Sequence, residues 1–227
     1  MSNAVITTTR TRATVPAHPL APAQASRFRD SDVLLVIAVF IGLITAAWAM
    51  NGGWTAIHKG LPNVWRTTAS LSGMWTSAAG MVGLMLAARV TWIERAIGLD
   101  RMLNWHRIAG DTMGILLGVH IITSVKAEMP LRGGLINTIR DLTGRTSYMA
   151  LTTIGAVLIG IVVVSSLRAV RQQLAYETWY FIHLLAYVGL AMSFSHQITL
   201  GSVLANSTVV RWVWVMVSVF ILLFVLI

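Results

Sequence analysis

Four of the six histidines fall in long apolar stretches, where an imidazole calls for an explanation. His106 and His120 are fourteen residues apart, and His183 and His196 are thirteen apart. Along an α-helix these separations correspond to ~21 Å and ~19.5 Å. Fourteen residues also return the second side chain to within ~40° of the first. Two such helices, side by side and running the same way, set His106 opposite His183 and His120 opposite His196. Neutral imidazole binds iron and other transition metals well. Opposed imidazoles at two depths are what two stacked haem irons need. A single small-ion site is geometrically poor, because about four turns divide each pair. Structural hydrogen bonding, a proton path and metal transport are the other uses of intramembrane histidine. Thirteen residues fall ~140° short of four turns. The second helix must therefore tighten or bend, or the two haems must be offset laterally. Gly189 is a place where such distortion is tolerated. His18 and His58 are read as solvated residues.

The elements that must hold these side chains are membrane spans. Of the 227 residues 56% are hydrophobic and 11% charged, with mean hydropathy +0.73. Soluble domains carry roughly 25% charged residues, so a soluble globular protein, a disordered chain and a nucleic-acid-binding domain are excluded. With no cysteine, disulfides, thiolate chemistry, iron–sulfur clusters and covalent haem attachment are excluded within this chain. Six apolar stretches are long enough to cross a bilayer: Val33–Met50, Ala69–Val90, Trp105–Val125, Ser147–Leu167, Thr178–Leu200 and Thr208–Ile227. The histidine pairs fall in the third and fifth, which run in the same direction.

Residues 1–31 read as a disordered basic tail and 32–227 as one membrane domain. With the N-terminus cytoplasmic, ten Lys and Arg lie on inner segments and seven on outer ones, the bias expected of a multi-pass protein of the cell membrane. The net charge of +9 then marks span ends and anionic lipid, not nucleic acid. The sixth span stops at Ile227 without a basic anchor. We therefore expect a fragment, with a soluble module following on the cytoplasmic side.

The run Leu99-Asp100-Arg101-Met102-Leu103-Asn104-Trp105-His106-Arg107, closing at His120, resembles the third helix of the ferric reductase/NADPH oxidase transmembrane domain. Tyr176-Glu177-Thr178-Trp179-Tyr180-Phe181-Ile182-His183, followed by His196-Gln197, is similar to its fifth. The resemblance covers roughly residues 30–227 and is nearest the bacterial branch. It implies an all-α, six-helix transmembrane bundle enclosing two stacked b-type haems. His106 and His183 would hold the inner haem iron, and His120 and His196 the outer one. It further implies a transmembrane oxidoreductase. Electrons would pass from a cytoplasmic reduced flavin to a small extracytoplasmic acceptor, ferric iron or oxygen. FAD and NAD(P)H would sit on a reductase module or partner subunit, since no glycine-rich dinucleotide fingerprint is present here. Around Arg145–His196 the chain also resembles the haem subunit that passes electrons to a separate periplasmic methionine sulfoxide reductase. Those subunits generally lack a counterpart of His106. Several family members carry an aromatic residue where this chain has Gly189; Tyr187 is a nearby substitute, with lipid-facing packing its simpler role.

Other residues near the histidines carry expectations too. Gly110, Gly114 and Gly118 let either a porphyrin or a neighbouring helix approach the backbone. Asp111 is expected to pair with Arg107 four residues earlier, or else to orient a ligating histidine. Arg101, Arg107 and Arg171 on the inner side, and Lys126 and Arg132 on the outer, are candidate partners for haem propionates. Trp105, Trp179, Trp212 and Trp214 are expected to form an aromatic belt.

Overall fold

The computed structural model describes residues 29–144, 147–200 and 202–226. The tail expected over 1–31, with His18, lies outside the described residues as far as residue 28, and so does Arg145. Among the described residues every regular element is helical. The chain runs through α1 (Asp30–Trp48), a π-helical turn at Ala49–Gly53, α2 (Trp54–Ile57) and α3 (Leu61–Ala87). There follow α4 (Thr91–Ile97), α5 (Leu99–Glu128), a 3-10 turn at Met129–Leu131 and α6 (Leu135–Gly144). The last elements are α7 (Ser147–Ser166), α8 (Arg168–Arg171), α9 (Tyr176–Leu200), α10 (Ser202–Asn206) and α11 (Thr208–Leu226).

Five helices are long and apolar enough to cross a membrane, and α3 with α4 makes a sixth if that pair, bent by 88°, counts as one span. Large apolar side chains such as Leu43, Ile115 and Phe220 are exposed on the spans. Surface of that kind is tolerated in hydrocarbon and not in water. The chain is thus an all-α, multi-pass membrane protein. The bend after α3 passes through Arg89, whose φ of 52° is left-handed. That backbone is held while the Arg89 guanidinium lies 3.0 Å from Glu94. Gly98, with φ of 78°, then turns the chain into α5.

Two closely packed helix pairs build the bundle: α3 against α5, and α7 against α9. In lipid there is no hydrophobic drive between helices, so close approach depends on small residues. The inner face of α3 is made of them: Ala69, Ser72, Ser77, Ala78, Ala79, Gly80 and Gly83 are all buried. Its hydroxyls bond back to carbonyls of their own helix, as Thr76 does to Ser72 at 2.7 Å. The α7–α9 crossing rests on two glycines. A Cβ at Gly155 would fall 2.7 Å from the Gly189 carbonyl, and one at Gly189 would fall 3.0 Å from the Gly155 carbonyl. Helices α1 and α11 cover the opposite side of α3, where Trp48, Met74 and Trp214 form the core. Trp48 Nε1 donates to the Thr67 carbonyl at 3.1 Å, and Thr67 Oγ1 to that of Gly53 at 3.1 Å, tying the π-helical turn to α3.

At the end of α5, Arg132 bridges Glu128 at 3.1 Å and Asp141 at 2.5 Å, and Arg66 reaches the same Glu128 at 3.4 Å. The Asp141 hydrogen bond, first among the causes, holds the Arg132 guanidinium above its already high range. Its charge is therefore constant at any working pH. Arg132, a candidate propionate partner, joins α5 to α6 through these pairs.

The glycine crossing makes the first prediction. Gly189→Val should destabilise the protein by about 1–3 kcal/mol, the usual cost of overpacking. Gly42→Ala, where a Cβ meets nothing within 4 Å, should be neutral. Thermal unfolding in detergent compares the two.

Candidate functional site

His106 is the eighth residue of α5, and His183 is the eighth of α9. The structure brings them together, with ring centroids 5.9 Å apart and planes at 67°. His120 and His196 form a second pair, at 6.0 Å and 64°. Two imidazoles bound end-on to one metal ion, each through a bond of about 2 Å, have centroids about 6 Å apart. Both pairs have that separation. No third His, Cys, Asp or Glu joins either one among the described residues. Each level therefore offers two nitrogen donors and no more.

The α5 pair is fixed by α3. His106 Nδ1 lies 2.9 Å from the Gly83 carbonyl, and His120 Nδ1 lies 2.7 Å from that of Ala69. A carbonyl only accepts, so each Nδ1 carries the hydrogen and each Nε2 keeps its lone pair. The two carbonyls are fourteen residues apart, as are the two histidines, and the helices are consecutive spans running in opposite directions. One register thus clamps both rings. Gly73 completes the arrangement, since a Cβ there would fall 2.8 Å from His120 Nδ1. Reading the sequence did not single out Ala69, Gly73 or Gly83. The matching spacing of small residues in the second span was the signal.

The α9 pair is held differently. His183 Nδ1 meets Ser166 Oγ of α7 at 3.3 Å. His196 Nδ1 is buried and has no hydrogen-bond partner among the described residues. The difference follows from the thirteen-residue spacing, which puts the two side chains on different faces of a regular helix. Helix α9 is nevertheless continuous from Tyr176 to Leu200. Gly189 is no hinge within it. It is the point of contact with α7, which leaves no space there for an aromatic side chain.

Between the two levels lies an apolar layer. Met113 is seven residues from both His106 and His120, and Leu190 is seven beyond His183. Met113 packs with Ala79 and Ile159, and Leu117, Val163 and Leu190 surround them. The glycines of α5 divide by role. Gly114 faces Val163 of α7, 2.8 Å from where its Cβ would be, whereas a Cβ at Gly110 or Gly118 would meet nothing within 4 Å.

Several expectations about neighbours need correction. Asp111 is exposed and has no ion pair among the described residues, because Arg107 turns back to Asn104 Oδ1 at 3.4 Å. That follows the lean of helical side chains toward the N-terminus. Asp111 does not orient a histidine either, since the Nδ1 partners are carbonyls and a hydroxyl. Arg101 pairs with Asp30 at 2.8 Å. Trp214 is a buried core residue bonded to Gln197 Oε1 at 3.0 Å, and Trp179 stacks on His183; neither belongs to a belt. Trp212 and Tyr187 are exposed, and His58 is an exposed residue with Nδ1 3.3 Å from the Trp54 carbonyl.

Fold and site together define a helical membrane protein with paired intramembrane imidazoles at two levels. Residues 72–194 match the family model of the ferric reductase like transmembrane component. The match spans more than half of the chain, and the chain belongs to that family, whose role as an oxidoreductase component is electron transfer across the membrane. The matched segment contains His106, His120 and His183 and ends two residues before His196. No curated protein and no solved structure matches.

Gly73→Ala should push the His120 ring off α3 and break its bond to Ala69. The expected cost is roughly 1–3 kcal/mol for an orphaned polar group. Gly110→Ala should cost nothing comparable. Melting temperatures in detergent test both.

Proposed function

We propose that this protein carries electrons across the cell membrane, from a cytoplasmic reduced flavin to a small extracytoplasmic one-electron acceptor, ferric iron or oxygen. In this reading the N-terminus is cytoplasmic. His106 and His183 would hold an inner b-type haem, and His120 and His196 an outer one. The observation that carries the reading is the pair of opposed imidazoles, repeated at two levels with the same ~6 Å separation that a shared metal ion demands.

The residues fit such a group. Each level lacks further side-chain ligands among the described residues, and a porphyrin brings its own four nitrogens. Among the described residues no hydrogen bond engages Nε2 of any of the four rings. The open space at Gly110 and Gly118 leaves the α5 backbone approachable near both levels. A haem bound at each level would supply reversible one-electron chemistry at its iron.

The chain's own residues do the rest. The Ala69 and Gly83 carbonyls hold the α5 imidazoles in one tautomer and raise their basicity. Two imidazoles at each level would hold such a group from both sides, which would favour electron transfer over binding of a ligand at the metal. Met113, Leu190 and their neighbours keep water out of the layer between the levels. A carrier at each level would divide the crossing of ~30 Å into shorter steps, the two levels lying ~21 Å apart along α5. An interior-negative potential favours outward electron movement by ~2.3 kcal/mol per 100 mV for a full crossing. FAD and NAD(P)H belong in this reading to a reductase module or partner subunit.

Haem stoichiometry is the test. The purified protein, made with ample haem, should carry two haems per chain by the pyridine haemochrome assay. His106→Leu and His183→Leu should each lose the same one of the two. His120→Leu and His196→Leu should lose the other. Loss of both haems to the same extent in all four folded variants would refute the pairing, and a haem-free wild type would refute the whole reading.

A further inference from the structure

Of the four histidines, His183 is unlike the rest in having an aromatic ring stacked on it. Trp179, one turn earlier on α9, lies 4.8 Å from it between centroids, with planes at 28°. Over the same indole sits the guanidinium of Arg171, its Cζ 4.5 Å from the ring centroid. Arg171 is anchored from α8, where Nη1 donates to the Leu174 carbonyl at 3.3 Å. Arg171, Trp179 and His183 therefore form a continuous stack that starts in the α8 turn and ends at the first histidine level.

Two further facts argue against incidental packing. The Nδ1 contact of His183 is a hydroxyl at 3.3 Å, longer than the 2.9 and 2.7 Å carbonyl bonds of His106 and His120. Of the three rings whose Nδ1 has a partner among the described residues, the one with the longest contact is the one with the stacking partner. In addition, Trp179 Nε1 is buried without a hydrogen-bond partner among the described residues. A buried donor left unsatisfied is costly, and a phenylalanine would stack without that cost.

We infer that Arg171 and Trp179 are positioning residues for His183: the indole fixes the plane of its ring, and the guanidinium sets a positive charge behind it. This deepens the proposed function and rests on it. A cation is attracted to the indole face, and in a medium of low dielectric its field extends along the stack. The oxidised iron carries one more positive charge than the reduced iron. Arg171 therefore opposes oxidation and raises the reduction potential of the haem that His183 ligates, while the other haem, about four turns away on α9, is largely untouched. The stack is thus a device for setting the two potentials apart.

The test is a spectroscopic redox titration of the full-length, haem-loaded protein in detergent, with the haem of His183 identified as the one missing from His183→Leu. Arg171→Gln should lower the midpoint of that haem alone, so that its reduced-to-oxidised ratio at the wild-type midpoint falls roughly threefold. Arg171→Lys, which keeps the charge, should restore most of the shift. Trp179→Leu should additionally change the low-spin ferric electron paramagnetic resonance signal of the same haem, because the ring plane is no longer held. Titration of Arg171→Gln like wild type, an equal shift of both haems, or a lysine variant no better than glutamine would overturn the inference. Should Arg171→Gln fail to fold, Trp179→Phe decides: a smaller shift in the same direction supports the inference, and an unmoved midpoint sinks it. A wild type with two titrating haems that Arg171 does not influence removes this inference alone. A wild type without haem removes it together with the function on which it rests.

Discussion

The whole arrangement depends on how closely α5 lies against α3. Two backbone carbonyls of α3, at Ala69 and Gly83, accept hydrogen bonds from two imidazoles of α5. A side chain reaches a carbonyl within a neighbouring helix only when nothing bulky intervenes. The run of alanine, serine and glycine on α3 meets that condition, and Gly73 meets it most stringently, with the His120 ring where its Cβ would be. A buried polar ring in hydrocarbon must be satisfied or it becomes a liability. The same bond that satisfies each ring also selects its tautomer. Packing, hydrogen bonding and donor orientation are in this way one requirement.

The second helix pair obeys a looser version of that rule. The Gly155–Gly189 crossing brings α9 close onto α7, yet among the described residues the α9 histidines have no carbonyl clamps. One meets a serine hydroxyl and an indole, and the other has a buried nitrogen without a partner. The site is therefore rigid on one side and more individually adjusted on the other. Since the thirteen-residue spacing sends the two α9 side chains to different faces, no single neighbouring helix can serve both. This asymmetry gives each level a distinct environment, the condition under which two otherwise similar centres differ in their electronic properties.

Much of this was legible beforehand. The spans follow from hydropathy, and the 14 and 13 residue spacings match two helices in depth whatever their environment. The neighbours of the site were harder to read. Arg107 and Asp111 stand at i and i+4 and read as an ion pair, but side-chain lean sends Arg107 to Asn104. Trp179 and Trp214 stand near span ends and read as interfacial anchors, but one stacks on a histidine and the other is buried in the core. Gly189 reads as a point of weakness, and it is the closest point of a helix crossing.

The amino-acid sequence by itself determined the apolar spans, their membrane character and the two depths of imidazole, but not the bounds of the helices: α3 runs over Leu61–Ala87 and α5 over Leu99–Glu128, where Ala69–Val90 and Trp105–Val125 were expected. Each of these is a local property, written in composition and in the 1.5 Å rise of a helix. Only the tertiary structure decided which groups meet those imidazoles. The partners lie 51, 23 and 17 residues away in the chain for His120, His106 and His183. Contacts of that range depend on where helices cross and on which face each turns toward the other. That choice is made by the small residues along α3, α7 and α9 acting together, because in lipid the quality of packing, and not the hydrophobic effect, selects the neighbour.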